Sequence, residues 1–386
     1  MKKVVLIPDS FKGTLSSSDI CSIMERCIAA RFPACQVLSI PVADGGEGSV
    51  DAFLTALGGE RIPVTVQGPY GEPMASFYGL LDGGQTAVVE MAACAGLPLV
   101  DGRRDPSRTT TYGVGQLILA AAEQGAKRII VGLGGSATND AGCGAAAAAG
   151  VRFLDRQGQS FIPTGGSLER IASVDLRGRS SLLEGVELIT MCDIDNPMYG
   201  ESGAAYVFAP QKGADPEMVR ALDAGLRHLD AVLRRDLGRD LSTVPGGGAA
   251  GAMGVGMLAF FGSRLQMGIE AVLDTVDFDR LIQGADLIFT GEGKIDSQSL
   301  RGKVVIGVAR RAKRQAVPVI AVVGGSELEM EGAYEQGVRA IFPINRLPED
   351  LSVSRHHARE NLAFAMDNIL RLLAGAQTAN GRESEA

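Results

Sequence analysis

The chain has 386 residues, of which 51 are glycine and 16 proline, with 46% apolar residues and a formal charge of −8. Glycine at about 13%, against a usual share of roughly 7%, follows no Gly-X-Y period, so collagen-like and disordered chains are excluded. The net negative charge argues against a general nucleic-acid or anionic-membrane surface, and the length exceeds the roughly 250–300 residues at which a single core stops growing.

Short apolar runs alternate with helical stretches, the pattern of parallel α/β layers. A strand over 4–7 leads to a helix over 18–31, a run over 37–42 and a helix opening near Glu47. Three strand-like runs follow at 62–66, 76–81 and 86–91, separated by Gly68-Pro69-Tyr70-Gly71 and Asp82-Gly83-Gly84, which predicts hairpins. The uncharged stretch 244–263 is filled with glycine in its first half and predicts a loop entering a buried helix, not a membrane span. Strands at 287–290, 317–323 and 340–344 then alternate with helices over 304–314 and 351–373. The pattern predicts a discontinuous α/β domain (1–66 and 285–376), an inserted α/β domain (67–284) and a disordered tail (377–386). Six cysteines without a C-x-x-C pair, and only three histidines, form no zinc-type cluster and predict reduced thiols in a cytoplasmic protein.

Five turns combine glycine with polar residues directly after a strand-like run, at the carboxyl edge where open α/β sheets bind ligands. They are Pro8-Asp9-Ser10-Phe11-Lys12-Gly13-Thr14, Ala43-Asp44-Gly45-Gly46-Glu47-Gly48, Gly132-Leu133-Gly134-Gly135-Ser136-Ala137-Thr138-Asn139-Asp140, Cys192-Asp193-Ile194-Asp195-Asn196-Pro197 and Gly291-Glu292-Gly293-Lys294-Ile295-Asp296. Glycine permits close backbone approach, and free N–H groups at a helix start attract phosphate; Asp, Ser and Asn there also serve as plain helix caps. Lys12 and Lys294 are the cations placed to neutralise phosphate or carboxylate oxygens. Asp193 and Asp195 can accept a proton, hold Mg²⁺ or close an Asx-turn on their own backbone. Arg103, Arg104 and Arg108 before Thr109-Thr110-Thr111-Tyr112-Gly113 read as surface charge and a helix cap as readily as function.

The third turn also matches a relaxed dinucleotide fingerprint, Gly132-x-Gly134-x-x-Ala137 with Asp155 about 20 residues on, so an NAD-dependent oxidoreductase acting on a small hydroxy acid is a rival reading. Ser136, Thr138, Asn139 and Asp140 suit a triphosphate and its Mg²⁺ equally well. No Walker A element and no G-x-S-x-G elbow is present, which excludes a P-loop NTPase and disfavours a Ser-His-Asp hydrolase.

The first, second, third and fifth of these turns (Pro8 to Ser16, Val42 to Gly48, Gly134 to Asp140 and Thr290 to Asp296), together with Thr109-Thr110-Thr111-Tyr112-Gly113 and Phe208-Ala209-Pro210-Gln211-Lys212-Gly213-Ala214, resemble the bacterial glycerate kinases of the type-1 family over most of the chain. Lys294 stands where that family usually has arginine, and Ala141 and Ala209 replace common glycines. The resemblance implies the glycerate kinase fold: two α/β domains, the first discontinuous and Rossmann-like, with the site in the cleft between them. It also implies ATP-dependent phosphorylation of D-glycerate to 2-phosphoglycerate with Mg²⁺, and decides against NAD. In that frame Lys12 neutralises the substrate carboxylate or the phosphoryl group, and Asp44 or Asp193 accepts the hydroxyl proton. Ser10, Gly45, Gly46 and Lys294 bind substrate, Gly134, Gly135, Ser136 and Thr138 face the phosphates, and Asp195 or Asp296 lies near the metal. No nucleic-acid or membrane partner is expected, and monomer and homodimer both stay open.

Overall fold

Apolar runs of five or six residues become strands buried on both faces, the condition that parallel sheets require. The computed structural model describes residues 1–11, 13–43 and 45–383, apart from the side chains of 351 and 376–383. Lys12 and Asp44 therefore lie outside the described residues. In chain order the strands of the two main sheets are β1 (Lys3–Pro8), β2 (Gln36–Ser39), β3 (Glu60–Gln67), β4 (Pro73–Leu81), β5 (Thr86–Glu90) and β6 (Arg128–Gly132). They continue with β7 (Glu187–Met191), β8 (Arg264–Gln266), β9 (Leu287–Gly291), β10 (Val319–Val323) and β11 (Val338–Pro343).

The chain divides into two compact units, Met1–Ala43 with Val272–Ala386, and Asp44–Ala271. The first division falls earlier than 66/67 because β3 pairs along its whole length with β4. The second falls earlier than 284/285 because Asp274 and Asp279 are salt-bridged to Arg311 on the helix Val304–Lys313.

The first unit is built on a five-stranded sheet of order β11-β10-β9-β1-β2, parallel throughout. Val4, Leu6, Phe289 and Val322 from its strands meet Ile20, Met24 and Ile28 of the helix Ser17–Arg31 and Leu362, Met366 and Leu370 of the helix Ala358–Glu383. Each such side chain contributes about 1.5–3 kcal/mol relative to exposure. Ser16 starts the first of these helices by accepting the Asp19 N–H at 3.1 Å. The closing helix expected over 351–373 is interrupted by a 3-10 turn at Arg355–His357, and its second part extends through Glu383 into the segment expected to be a tail.

The second unit carries a six-stranded sheet of order β8-β7-β6-β5-β4-β3, in which β8 to β5 are parallel and the β3–β4 hairpin adds antiparallel strands at one edge. Val89, Ile129 and Val131 from this sheet share a core with Leu117, Ile118, Leu226 and Phe260. Most of the apolar stretch 244–263 is buried here, and among the described residues no helix is long and apolar enough to cross a membrane. Its glycines serve backbone packing: a Cβ on Gly251 would lie 2.1 Å from the Thr138 carbonyl oxygen, and one on Gly256 2.2 Å from that of Ala141.

Candidate functional site

In the second unit the turn after β6 and the end of β7 meet Gly45-Gly46, and the end of β5 meets the residues that follow, Gly48 and Val50. A Cβ on Gly132 would sit 2.3 Å from the Gly45 carbonyl oxygen and one on Gly134 2.5 Å from the Gly46 Cα, so only glycine lets these backbones meet. The Gly134 N–H donates to the Gly45 carbonyl at 3.0 Å, and Gly45 also packs on Met191. Gly45 and Gly46 are buried in this turn-on-turn contact. Glu90 at the end of β5 accepts the N–H groups of Gly48 and Val50, plugging the start of the helix Ser49–Leu57 with a carboxylate of the protein's own. Burial raises its pKa and those two N–H groups oppose the rise.

Of the residues expected to face phosphates, Gly135 is exposed, Gly134 half-buried and Ser136 nearly buried. Thr138 lies deeper. It is fully buried, with Oγ1 enclosed without a partner and its carbonyl taken by a side chain that the sequence reading did not single out. That side chain is Lys212, 2% exposed, whose Nζ donates to Ser136 Oγ at 2.8 Å and to the Thr138 carbonyl at 2.7 Å. Burial brings its pKa down to about 7 against the opposing charge of Asp140. Asn139 and Asp140 are also fully buried, so neither offers a surface to a triphosphate. Asp140 instead accepts from Thr111 N and Oγ1, Gly142 N and Gly144 N. Thr109, Thr110 and Thr111 are buried; Thr111 belongs to this network, Thr109 Oγ1 donates to the Ala137 carbonyl at 2.9 Å, and Thr110 Oγ1 accepts the Tyr112 N–H at 3.2 Å. Both amide atoms of Asn139 are enclosed without a partner, as is Thr138 Oγ1, the signature of sites that bury water.

Asp193, after β7, accepts the Gly268 N–H at 2.6 Å and so holds the first residue of the helix Gly268–Thr275. Asp195 in the same turn is exposed. Asp155, the acid of the dinucleotide fingerprint, accepts the N–H groups of Gln157 and Gln159 at 2.9 Å each in a tight local turn. The next helix after β6 begins only at Cys143, so the third turn does not run straight from strand into helix as a dinucleotide fold requires.

In the first unit the turns after β1 and β9 meet: the Asp9 N–H donates to the Gly291 carbonyl at 2.8 Å. Ser10 is half-buried, with its N–H on Asp9 Oδ1 at 2.7 Å. Lys294 is exposed and pairs with Glu327 at 3.0 Å, a contact that raises its pKa. Asp296 Oδ1 accepts the N–H groups of Gln298 at 2.9 Å and Ser299 at 3.2 Å, an Asx-type turn. Asp195 and Asp296 therefore belong to different units, as do Gly45 and Lys294. Among the described residues no group of three or more His, Cys, Asp or Glu could hold a metal ion.

A model of the glycerate kinase family matches residues 4–374. The chain belongs to the glycerate kinase family. It is 44% identical over 368 residues to a glycerate kinase of Bacillus cereus, covering 95% of this chain and 97% of that one. It is 41% identical over 373 residues to glycerate 2-kinase of Escherichia coli K12, covering 96% and 98%. A crystal structure from Salmonella typhimurium LT2, provisionally named glycerate kinase 2, superposes with a TM-score of 0.86 at 41% identity, covering 98% of this chain and 99% of that one. Phosphorylation of glycerate by ATP follows from the family, and nothing supports the nicotinamide alternative.

Glu90 and Lys212 escaped the sequence reading, and Asp140, which that reading set beside a triphosphate, acts as a buried acceptor instead. Only Lys212 carried a signal, since a lysine between Pro210-Gln211 and Gly213 sits in another turn; its contact with Ser136, 76 positions away, has no trace in spacing. Ala141, where type-1 glycerate kinases usually have glycine, has φ of 52°, in the left-handed region that costs an alanine about 1 kcal/mol. Ala141→Gly is therefore expected to raise the unfolding free energy by up to about 1 kcal/mol, measurable as a higher denaturation midpoint at unchanged slope.

Proposed function

We propose that the chain transfers the γ-phosphoryl group of ATP to the 2-hydroxyl of D-glycerate, releasing 2-phosphoglycerate and ADP. The 2-position rests on full-length similarity to a relative named glycerate 2-kinase. The observation that carries a phosphate site in the second unit is the buried Lys212 fastened behind the glycine turn after β6. Gly134, Gly135 and Ser136 would meet the nucleotide, with Lys212 supplying positive charge from beneath, as phosphoryl transfer needs positioning and charge neutralisation above all.

Mg²⁺ suits this donor set if it arrives with the nucleotide. One exposed carboxylate, Asp195, next to phosphates and water matches the ion's habit of keeping most of its shell outside the protein. When bound, it neutralises charge on the phosphate oxygens. Ser10, Lys12 and Lys294 in the first unit would take the glycerate carboxylate.

A coupled assay of ADP release, with and without D-glycerate, tests this reading, and ³¹P NMR of the product distinguishes 2- from 3-phosphoglycerate. Glycerate-dependent ADP release with 2-phosphoglycerate is expected. Absence of that release, or 3-phosphoglycerate as product, defeats it.

A further inference from the structure

In the first unit the chain leaves β1 for β2 on one side, while β9, β10 and β11 build outward on the other. The gap beyond the carboxyl ends of β1 and β9 is therefore the topological switch point of a fully parallel sheet, where such folds bind ligands. The residues that follow those two strands are Asp9 and Glu292, 9% and 7% exposed. The strand ends are tied together: Asp9 N–H donates to the Gly291 carbonyl at 2.8 Å, and Thr290 Oγ1 donates to the Ile7 carbonyl at 2.8 Å.

The backbone around Glu292 is clamped. A Cβ on Gly291 would lie 2.1 Å from the Val322 carbonyl oxygen, one on Gly324 would lie 2.3 Å from that of Gly293, and the Gly324 N–H donates to the Glu292 carbonyl at 3.1 Å. Within this clamp Glu292 Oε1 is enclosed without a hydrogen-bond partner. A buried acidic oxygen without a donor costs stability.

We propose that Glu292 is the proton acceptor of the reaction, its carboxylate taking the proton of the glycerate hydroxyl as that oxygen attacks the γ-phosphorus. The bond from phosphorus to the β,γ-bridging oxygen breaks, ADP leaves, and Glu292 returns its proton to water. The inference rests on the glycerate-phosphorylating reading above. The electrostatic surroundings agree with it. Burial raises the Glu292 pKa to about 7, the charges of Asp9 and Asp296 push the same way, and the Ser299 hydroxyl and Lys303 oppose. Lys294 and Glu327, the other charged pair on the neighbouring turns, neutralise each other. A carboxylic acid poised near neutrality is the acid–base partner a kinase needs at physiological pH.

Glu292→Gln and Glu292→Asp, with pH profiles and thermal melts, test the proposal. Wild-type kcat/KM is expected to fall about tenfold per pH unit below roughly pH 7. Glu292→Gln should lose about 10²–10⁴-fold at pH 8 together with that acidic limb, and Glu292→Asp should keep the limb and part of the rate. The folded state holds this proton more tightly than the unfolded chain, so wild-type stability declines as pH rises from about 4.5 to about 7. Glu292→Gln should therefore melt higher than wild type at pH 8, an advantage that disappears near pH 4.5. A variant that is inactive but melts lower at pH 8, one that keeps the acidic limb, or one whose rate excess Mg²⁺ restores, would each overturn the assignment. Lack of glycerate-dependent ADP release by the wild type would instead defeat the functional reading, while the melts would still report on the buried acid.

Discussion

Asp140→Ala is expected to lower the unfolding free energy by about 3–5 kcal/mol, enough to leave the second unit largely unfolded near body temperature. The carboxylate is completely buried and accepts four hydrogen bonds: Thr111 N and Oγ1 at 2.8 Å each, and Gly142 N and Gly144 N at 3.2 Å each. Two of these donors open the helix Cys143–Ala148, and the others hold the residue before the helix Tyr112–Glu123. Alanine leaves all four donors buried without an acceptor, and nothing can refill the space with water at no cost. Asn in its place keeps one oxygen but turns the other position into a donor facing donors, so Asp140→Asn is expected to recover only part of the loss. Chemical denaturation followed by circular dichroism measures both, and a loss under about 1 kcal/mol for the alanine variant would show that the network is dispensable.

Lys212→Met is expected to reduce kcat/KM by about 10² or more with a much smaller effect on stability at pH 7. Methionine matches the length of the buried stem, so packing survives while the charge behind Ser136 and Thr138 disappears. What stability is lost comes from leaving the Thr138 carbonyl and the Ser136 hydroxyl without their donor. The pH dependence separates this from a packing defect. Because the folded-state pKa of Lys212 is lowered from 10.5 to about 7, the folded protein binds that proton less tightly than the unfolded chain, and wild-type stability rises with pH across that window. The deficit of Lys212→Met should accordingly widen between pH 7 and pH 10. Steady-state kinetics and melts at three pH values suffice; kcat/KM within a few-fold of wild type would remove Lys212 from the nucleotide site.

Both predictions concern roles that are invisible along the chain. The alternation of short apolar runs with helical stretches was legible because burial between layers demands it, and the two parallel sheets and the β3–β4 hairpin followed that pattern. The glycine turns at the strand ends were legible too, as glycine beside Asp, Ser and Lys marks where a chain reverses close to other backbone. Which of those turns face a ligand and which face each other was not, because Gly45 and Gly134 look alike in sequence to a phosphate loop.

By itself the sequence determined the α/β class and the family, since periodicity and long ordered motifs are local properties of a chain. Tertiary structure decided the chemistry of individual side chains. Asp140 and Lys212 are buried by segments tens of residues distant, and Glu292 is enclosed at a switch point formed with β1, nearly three hundred positions away by chain. A carboxylate or an amine has one ordinary pKa and one ordinary role in water; only the dielectric and the donors that folding brings around it turn it into a cap, a fastened charge or a base.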